Sequence, residues 1–222
     1  PMPEIMITGP AGRLEGRYKH AKRAGAPVAL ILHPNPQRGG TMNNKISFSM
    51  FNTFADNGFS TLRFNFRGVG RSQGTFSFGE GELSDAAAAL DWLQSVNPGA
   101  SGVWVGGFSF GACIGMQLLM RRPEIDTYVS IAPPANLYDF NFLAPCPNEG
   151  LIIQGDNDQV AQIESVNKLV QKLRDQRGPE GVAYKVIPGA GHFFNNPGET
   201  ELVMQNIADY LRTTPKAQTV AA

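Results

Sequence analysis

Apolar positions along the chain fall into short runs, separated by segments in which they recur at helical spacing. The runs predict strands at Ile5–Ile7, Leu14–Tyr18, Val28–His33, Ser60–Asn65, Gly102–Gly106, Tyr128–Ala132, Leu151–Gln154 and Ala183–Ile187. The intervening segments predict helices at Asn44–Asp56, Gly81–Ser95, Ser109–Arg121, Ile163–Arg177 and Glu199–Arg212. The runs at 28–33 and 151–154 are apolar on both alternating faces, as suits a central parallel strand covered by helices.

Helix stops are written in the sequence. Asn97-Pro98-Gly99 follows the second helix, Arg121-Arg122-Pro123 the third and Gly178-Pro179 the fourth. From Val28 onward, strands and helices alternate, which predicts a mostly parallel sheet of about eight strands with right-handed crossovers and helices on both faces. No helix separates the first two strands, so an antiparallel hairpin is expected at the leading edge. Pro133–Glu149 is too short for a separate lid domain. The expectation is one α/β domain spanning residues 1–222, with Thr213–Ala222 a flexible tail.

Composition narrows the function. Lys+Arg and Asp+Glu are both 19 among 222 residues, and no run of five like charges occurs. A nucleic-acid partner, which needs basic surface to displace counterions, is therefore not expected. The longest apolar runs, such as Val28–Leu32, are far below the ~20 residues of a membrane span. The first thirty residues show no signal-peptide core, so a cytoplasmic location is expected. Two cysteines, Cys113 and Cys146, make neither a disulfide framework nor a cysteine-rich zinc site. No histidine accompanies Glu80, Glu82 and Asp85, so these are not expected to hold a metal.

The candidate nucleophile is Ser109. Gly107-Phe108-Ser109-Phe110-Gly111 joins an apolar strand to a helix, the context that a G-x-S-x-G elbow requires. A tight strand-to-helix turn lifts the hydroxyl above the sheet, and the residues two before and two after must lack bulk. The helix N-terminus then offers unpaired N–H groups to developing negative charge. An alternative is a plain glycine-rich turn with Ser109 as helix N-cap.

There are three histidines. His20 lies in a basic, solvated turn. His33 and His192 both end strands at the carboxyl edge of the sheet. His192, in Gly189-Ala190-Gly191-His192, is the expected general base. Its orienting acid belongs in Gly155-Asp156-Asn157-Asp158, giving the chain order Ser…Asp…His. Asp158 lies further into that loop than Asp156 and is the expected acid, the other carboxylate being a turn residue. Acyl transfer also needs two oxyanion donors. One is the Phe110 backbone N–H. The other is sought in Pro34-Asn35-Pro36-Gln37-Arg38, where the prolines carry no N–H. Asn35 is the leading candidate, by backbone or side chain, with Gln37 and Arg38 further ones. Phe108, Phe110, Phe193, Phe194 and Tyr138 are expected to pack around the site, and Arg67 to be a structural hydrogen-bonder.

Together these motifs resemble the α/β-hydrolase superfamily over roughly Glu4 to Leu211. A further match is Arg67-Gly68-Val69-Gly70-Arg71-Ser72, similar to the superfamily's turn after the fourth strand. More narrowly, His33-Pro34-x-Pro36, Gly39-Gly40-Thr41-Met42 and Ala132-Pro133-Pro134 resemble small, lidless bacterial hydrolases of the dienelactone hydrolase and carboxylesterase kind. Asn35 stands where that group often has histidine, and serine stands where dienelactone hydrolases have cysteine. The resemblance implies a serine carboxylesterase acting on a small acyl ester without metal or cofactor, and it favours Asp158 as the acid. A thioesterase, a peptidase or a non-catalytic binding protein on the same fold are the rivals. The oligomeric state is left open, a homodimer among the states allowed.

Overall fold

The computed structural model describes residues 3–214. From position 215 the expected tail lies outside the described residues, while Thr213 is the last residue of a helix rather than tail.

Eight strands form one sheet: β1 (Glu4–Gly9), β2 (Gly12–Lys19), β3 (Val28–Leu32), β4 (Ser60–Phe64), β5 (Val103–Phe108), β6 (Thr127–Ile131), β7 (Glu149–Gly155) and β8 (Val182–Ile187). Their order is β1-β2-β4-β3-β5-β6-β7-β8. β1 and β2 form the antiparallel hairpin, β2 meets β4 antiparallel, and every later pairing is parallel. β3 lies between β4 and β5, and each of its five residues is buried, as its uninterrupted apolar run predicts.

The helices are α1 (Lys45–Asp56), α2 (Glu80–Ser95), α3 (Phe110–Arg121), α4 (Ile163–Arg177) and α5 (Glu199–Thr213). Strand periodicity assigns them to opposite faces. A Cβ on Gly106 of β5 would come within 2.8 Å of Met50 Sδ on α1. Its neighbour Val105, with Leu32 of β3, faces the other way onto Gly115 of α3. α1 packs with α5 on the first face and α2 with α3 on the second. Trp104 is buried edge-on between Phe54 of α1 and Tyr210 of α5, with ring centroids 6.0 and 5.9 Å away.

Most boundaries differ from the sequence expectation by one or a few residues, and two of the differences have local reasons. β5 continues past Gly106, because Gly107 and Phe108 both pair with β6. α2 starts at Glu80, because the Glu82 carboxylate accepts the N–H groups of Ser77 (3.0 Å) and Gly79 (2.7 Å) and so caps the helix from within. Between β6 and β7 the chain makes one 3-10 turn, Asn141–Leu143, and no long helix. Among the described residues, no lid covers the carboxyl edge of the sheet.

Candidate active site

The turn from β5 into α3 is built by contacts that exclude side chains. A Cβ on Gly107 would sit 2.2 Å from the Gly111 carbonyl oxygen. A Cβ on Gly111 would sit 2.2 Å from Leu32 O and 2.6 Å from His33 O. The first helical turn of α3 therefore rests directly on the end of β3. Ser109 between them adopts φ 57, ψ −117, a region a non-glycine residue enters only when its surroundings impose it. Its N–H donates to Ile131 O at 2.9 Å, which ties the turn to the end of β6. Ser109 stands at the N-cap position but makes no side-chain cap. Its Oγ lies instead 2.9 Å from His192 Nε2.

His192 follows β8 in a loop braced from three sides. Asp156 Oδ1 accepts the Gly189 N–H at 2.6 Å, and the Asn157 N–H donates to Ala190 O at 3.0 Å. Lys45 Nζ at the start of α1 donates to Phe194 O at 3.3 Å. Phe194 itself is buried at φ 51. The imidazole packs on Phe108 (centroids 5.2 Å) and meets Phe193 edge-on (5.0 Å).

His192 Nδ1 lies 2.8 Å from Asp158 Oδ2. All of the carboxylate's acceptor directions are used. Gln154 Nε2 donates to the same Oδ2 at 3.3 Å, and the Val160 and Ala161 N–H groups donate to Oδ1 at 2.8 Å each. A carboxylate held by four donors cannot rotate, so it fixes the Nδ1–H tautomer. Nε2 is then the acceptor facing the Ser109 hydroxyl. Ser109, His192 and Asp158, from three separate loops, are 7%, 7% and 6% exposed; the first two line the cleft, and all three are shielded from bulk water.

The structure separates the two aspartates. Asp156 braces the backbone of the histidine loop, and Asp158 meets the imidazole. It also sorts the donors of the 34–40 loop, a 3-10 turn over Pro36–Arg38. The Gln37 N–H donates to Asn35 Oδ1 (2.9 Å), the Arg38 N–H to Asn35 O (3.0 Å), the Gly39 N–H to Pro36 O (3.3 Å) and the Gly40 N–H to Asn35 O (2.9 Å). The Asn35 N–H, like that of Phe110, has no partner among the described residues. The Asn35 side chain is engaged as the cap of the turn, and Asn35 and Ser109 line one cleft of ≈ 860 Å³.

His33 is a scaffold rather than a base. Nδ1 is 2.7 Å from Pro34 O, and Nε2 accepts the Phe66 N–H at 3.0 Å, so the neutral ring bridges the 34–40 loop to the segment after β4. Burial pushes its pKa down to about 4, partly offset by the bond to Pro34 O. As pH falls from 6.5 toward 4, the unfolded chain takes up a proton that the folded chain refuses, so the stability present above that window is lost across it. The expected loss is about 3 kcal/mol. Urea midpoints measured across this range should fall, and His33→Gln should remove this share of the slope. An unchanged slope in the variant would assign the effect elsewhere.

Two supporting residues were not anticipated. Gln154 signals itself weakly as the polar end of the apolar run Leu151–Ile153. Asn136 carries no sequence signal, yet it clamps the acid loop by donating to Val160 O (2.9 Å) and accepting the Gln162 N–H (3.0 Å). Arg67 is structural as expected, forked onto Asp85 at 3.0 and 2.9 Å. Burial pushes the Cys113 thiol up to about 12, which leaves it unreactive.

Residues 3–178 match the family described as X-Pro dipeptidyl-peptidase (S15 family). The chain is 52% identical over 215 residues to the RP471 protein of Rickettsia prowazekii, covering 96% of this chain and 90% of that one. The ATU1826 protein of Agrobacterium tumefaciens superposes with a TM-score of 0.90 at 59% identity, covering 94% of each chain. An alpha-beta serine hydrolase homologue from Coxiella burnetii gives 0.82 at 33% identity, over 94% of this chain and 97% of that one. The chain belongs to the S15 family, within the α/β-hydrolase superfamily of serine hydrolases.

Proposed function

We propose that the protein is a carboxylesterase that cleaves small acyl esters through an acyl-enzyme, with Ser109, His192 and Asp158 as its triad. The observation that carries this reading is the hydrogen-bonded chain from Ser109 Oγ through His192 to Asp158, opening on an uncovered cleft. His192 Nε2 takes the hydroxyl proton as Oγ attacks the ester carbonyl. The oxyanion is met by the N–H groups of Phe110 and Asn35. His192 returns the proton to the departing alkoxide, and the freed alcohol leaves an acyl-Ser109. A water then loses its proton to His192 and attacks the acyl carbon. Collapse of that intermediate releases the acid and restores Ser109. Asp158 orients the ring and stabilises the imidazolium.

The family's name suggests a second reading, a dipeptidyl-peptidase. Such a substrate presents a free amino terminus, a cation near neutral pH, which a recognising cleft would answer with a carboxylate. No Asp or Glu lines this cleft among the described residues. That supports the ester. No helix among the described residues is long and apolar enough to cross a membrane. A cytoplasmic, small-molecule hydrolase is the setting proposed.

The test is a panel of p-nitrophenyl acetate, longer p-nitrophenyl esters, acetyl-CoA and a dipeptidyl p-nitroanilide. Short esters should give the highest kcat/KM. A larger value for the thioester or the anilide would replace this reading. Within the panel, Asn35→Ala tests the oxyanion assignment. Because the backbone N–H is the donor, the loss should stay below about tenfold, the scale of a lost side-chain cap. A drop of about 10²–10³-fold would make the side chain the donor.

A further inference from the structure

We infer that the substrate carries, beside its ester, an anionic group, a carboxylate or a phosphate, held by Arg38 on the wall of the cleft. The inference rests on the hydrolase reading above and names its substrate class. Among the described residues, Arg38 is the one permanently charged side chain that lines the cleft. Asn35, Asn44, Asn136, Gln159 and Gln162 also line it, neutral amides that can hydrogen-bond a ligand but cannot neutralise it. The Arg38 side chain makes no ion pair or hydrogen bond among the described residues, whereas Arg67 and Arg122 are committed to carboxylates.

The cation is also well placed. Arg38 ends the same proline-started 3-10 turn that Asn35 caps, and Gly39 closes that turn at φ 80. At about 2 Å per residue, the guanidinium is rooted about 6 Å along the turn from the oxyanion donor. Burial pushes the pKa of the Tyr138 hydroxyl on the same cleft up, partly offset by its bond to Asn35 and by the Arg38 charge. A guanidinium fork matches a carboxylate or phosphate in plane and in charge. Apolar walls from Pro134, Leu137, Val160 and Phe193 limit screening inside the cleft. Arg38 is itself exposed, which moderates the expected effect.

The anion can sit on the acyl or the alcohol side, and two substrate pairs separate these. Mono-p-nitrophenyl adipate against p-nitrophenyl hexanoate probes the acyl side, and 4-acetoxybenzoate against 4-acetoxybenzamide the alcohol side. The readout is the ratio of kcat/KM for the charged over the neutral member, compared between wild type and variant so that intrinsic reactivity cancels. In one pair, Arg38→Gln should lower that ratio about tenfold, Arg38→Glu should lower it further, and Arg38→Lys should retain most of it. The wild-type ratio should also shrink as salt shortens the screening length from about 30 Å to about 3 Å. Ratios within twofold of wild type in Arg38→Gln for both pairs, while the neutral esters are still turned over, would overturn the inference. If wild type hydrolyses no ester and Ser109 takes no fluorophosphonate, the hydrolase reading falls and the inference with it, an outcome distinct from the first.

Discussion

Ser109→Ala is expected to lower kcat toward short esters by about 10⁶-fold, the scale seen when the nucleophile of a serine protease is removed. Residual turnover would come from the two oxyanion donors and the bound substrate, together worth about 10³–10⁴ over water. The fold should be indifferent to the change. The Ser109 side chain bonds to His192 and does not cap α3, and the turn is held by the Ser109 N–H to Ile131 O and by the contacts at Gly107 and Gly111. Alanine meets the same φ of 57 at similar cost, so the melting temperature should move little. A fluorophosphonate probe gives the direct measurement: wild type gains one covalent adduct by intact mass, and the variant gains none. An adduct on the variant, or activity within tenfold of wild type, would give the nucleophile's role to another residue.

The elbow was readable because packing dictates its residue types. Gly107 and Gly111 are glycine because backbone oxygens occupy the space a Cβ would need. The same logic reached His192, whose loop leans over the sheet where Gly155 lets Ala190 O approach to 2.3 Å of a would-be Cβ. Strand and helix positions followed from apolar periodicity, since β3, β5 and β6 are buried at every position.

The remainder depends on contacts that sequence spacing does not encode. His33 and His192 both end strands, and in the sequence only the glycines before His192 set them apart. Only the fold turns one ring back onto Pro34 O and Phe66 N–H and the other toward a serine. The second oxyanion donor was open among Asn35, Gln37 and Arg38 because the choice is a matter of elimination. A 3-10 turn consumes the N–H groups of Gln37 and Arg38, and the one before the turn is left over. Asn136 was invisible for the same reason, as its two partners lie 24 and 26 residues away.

Asp158→Asn should cost up to about 10⁴-fold in kcat, and the hydrogen bonds around Asp158 say why. Oδ1 accepts the Val160 and Ala161 N–H groups, so an asparagine must keep its oxygen there and present its NH₂ to His192. That NH₂ cannot accept from Nδ1–H, and it also faces the Gln154 Nε2 donor that now serves Oδ2. The imidazole escapes by moving its proton to Nε2, and Nε2–H cannot take the proton from Ser109. Asp156→Asn is the contrast. Its Oδ1 accepts the Gly189 N–H, and an amide oxygen can do the same, so the loss should stay below about tenfold. Both variants should fold, so kcat for p-nitrophenyl acetate ranks them directly. Greater damage from Asp156→Asn would move the acid to Asp156. The expected order instead places Asp158 in proton transfer through the tautomer it selects, with Asp156 holding the loop on which that imidazole stands.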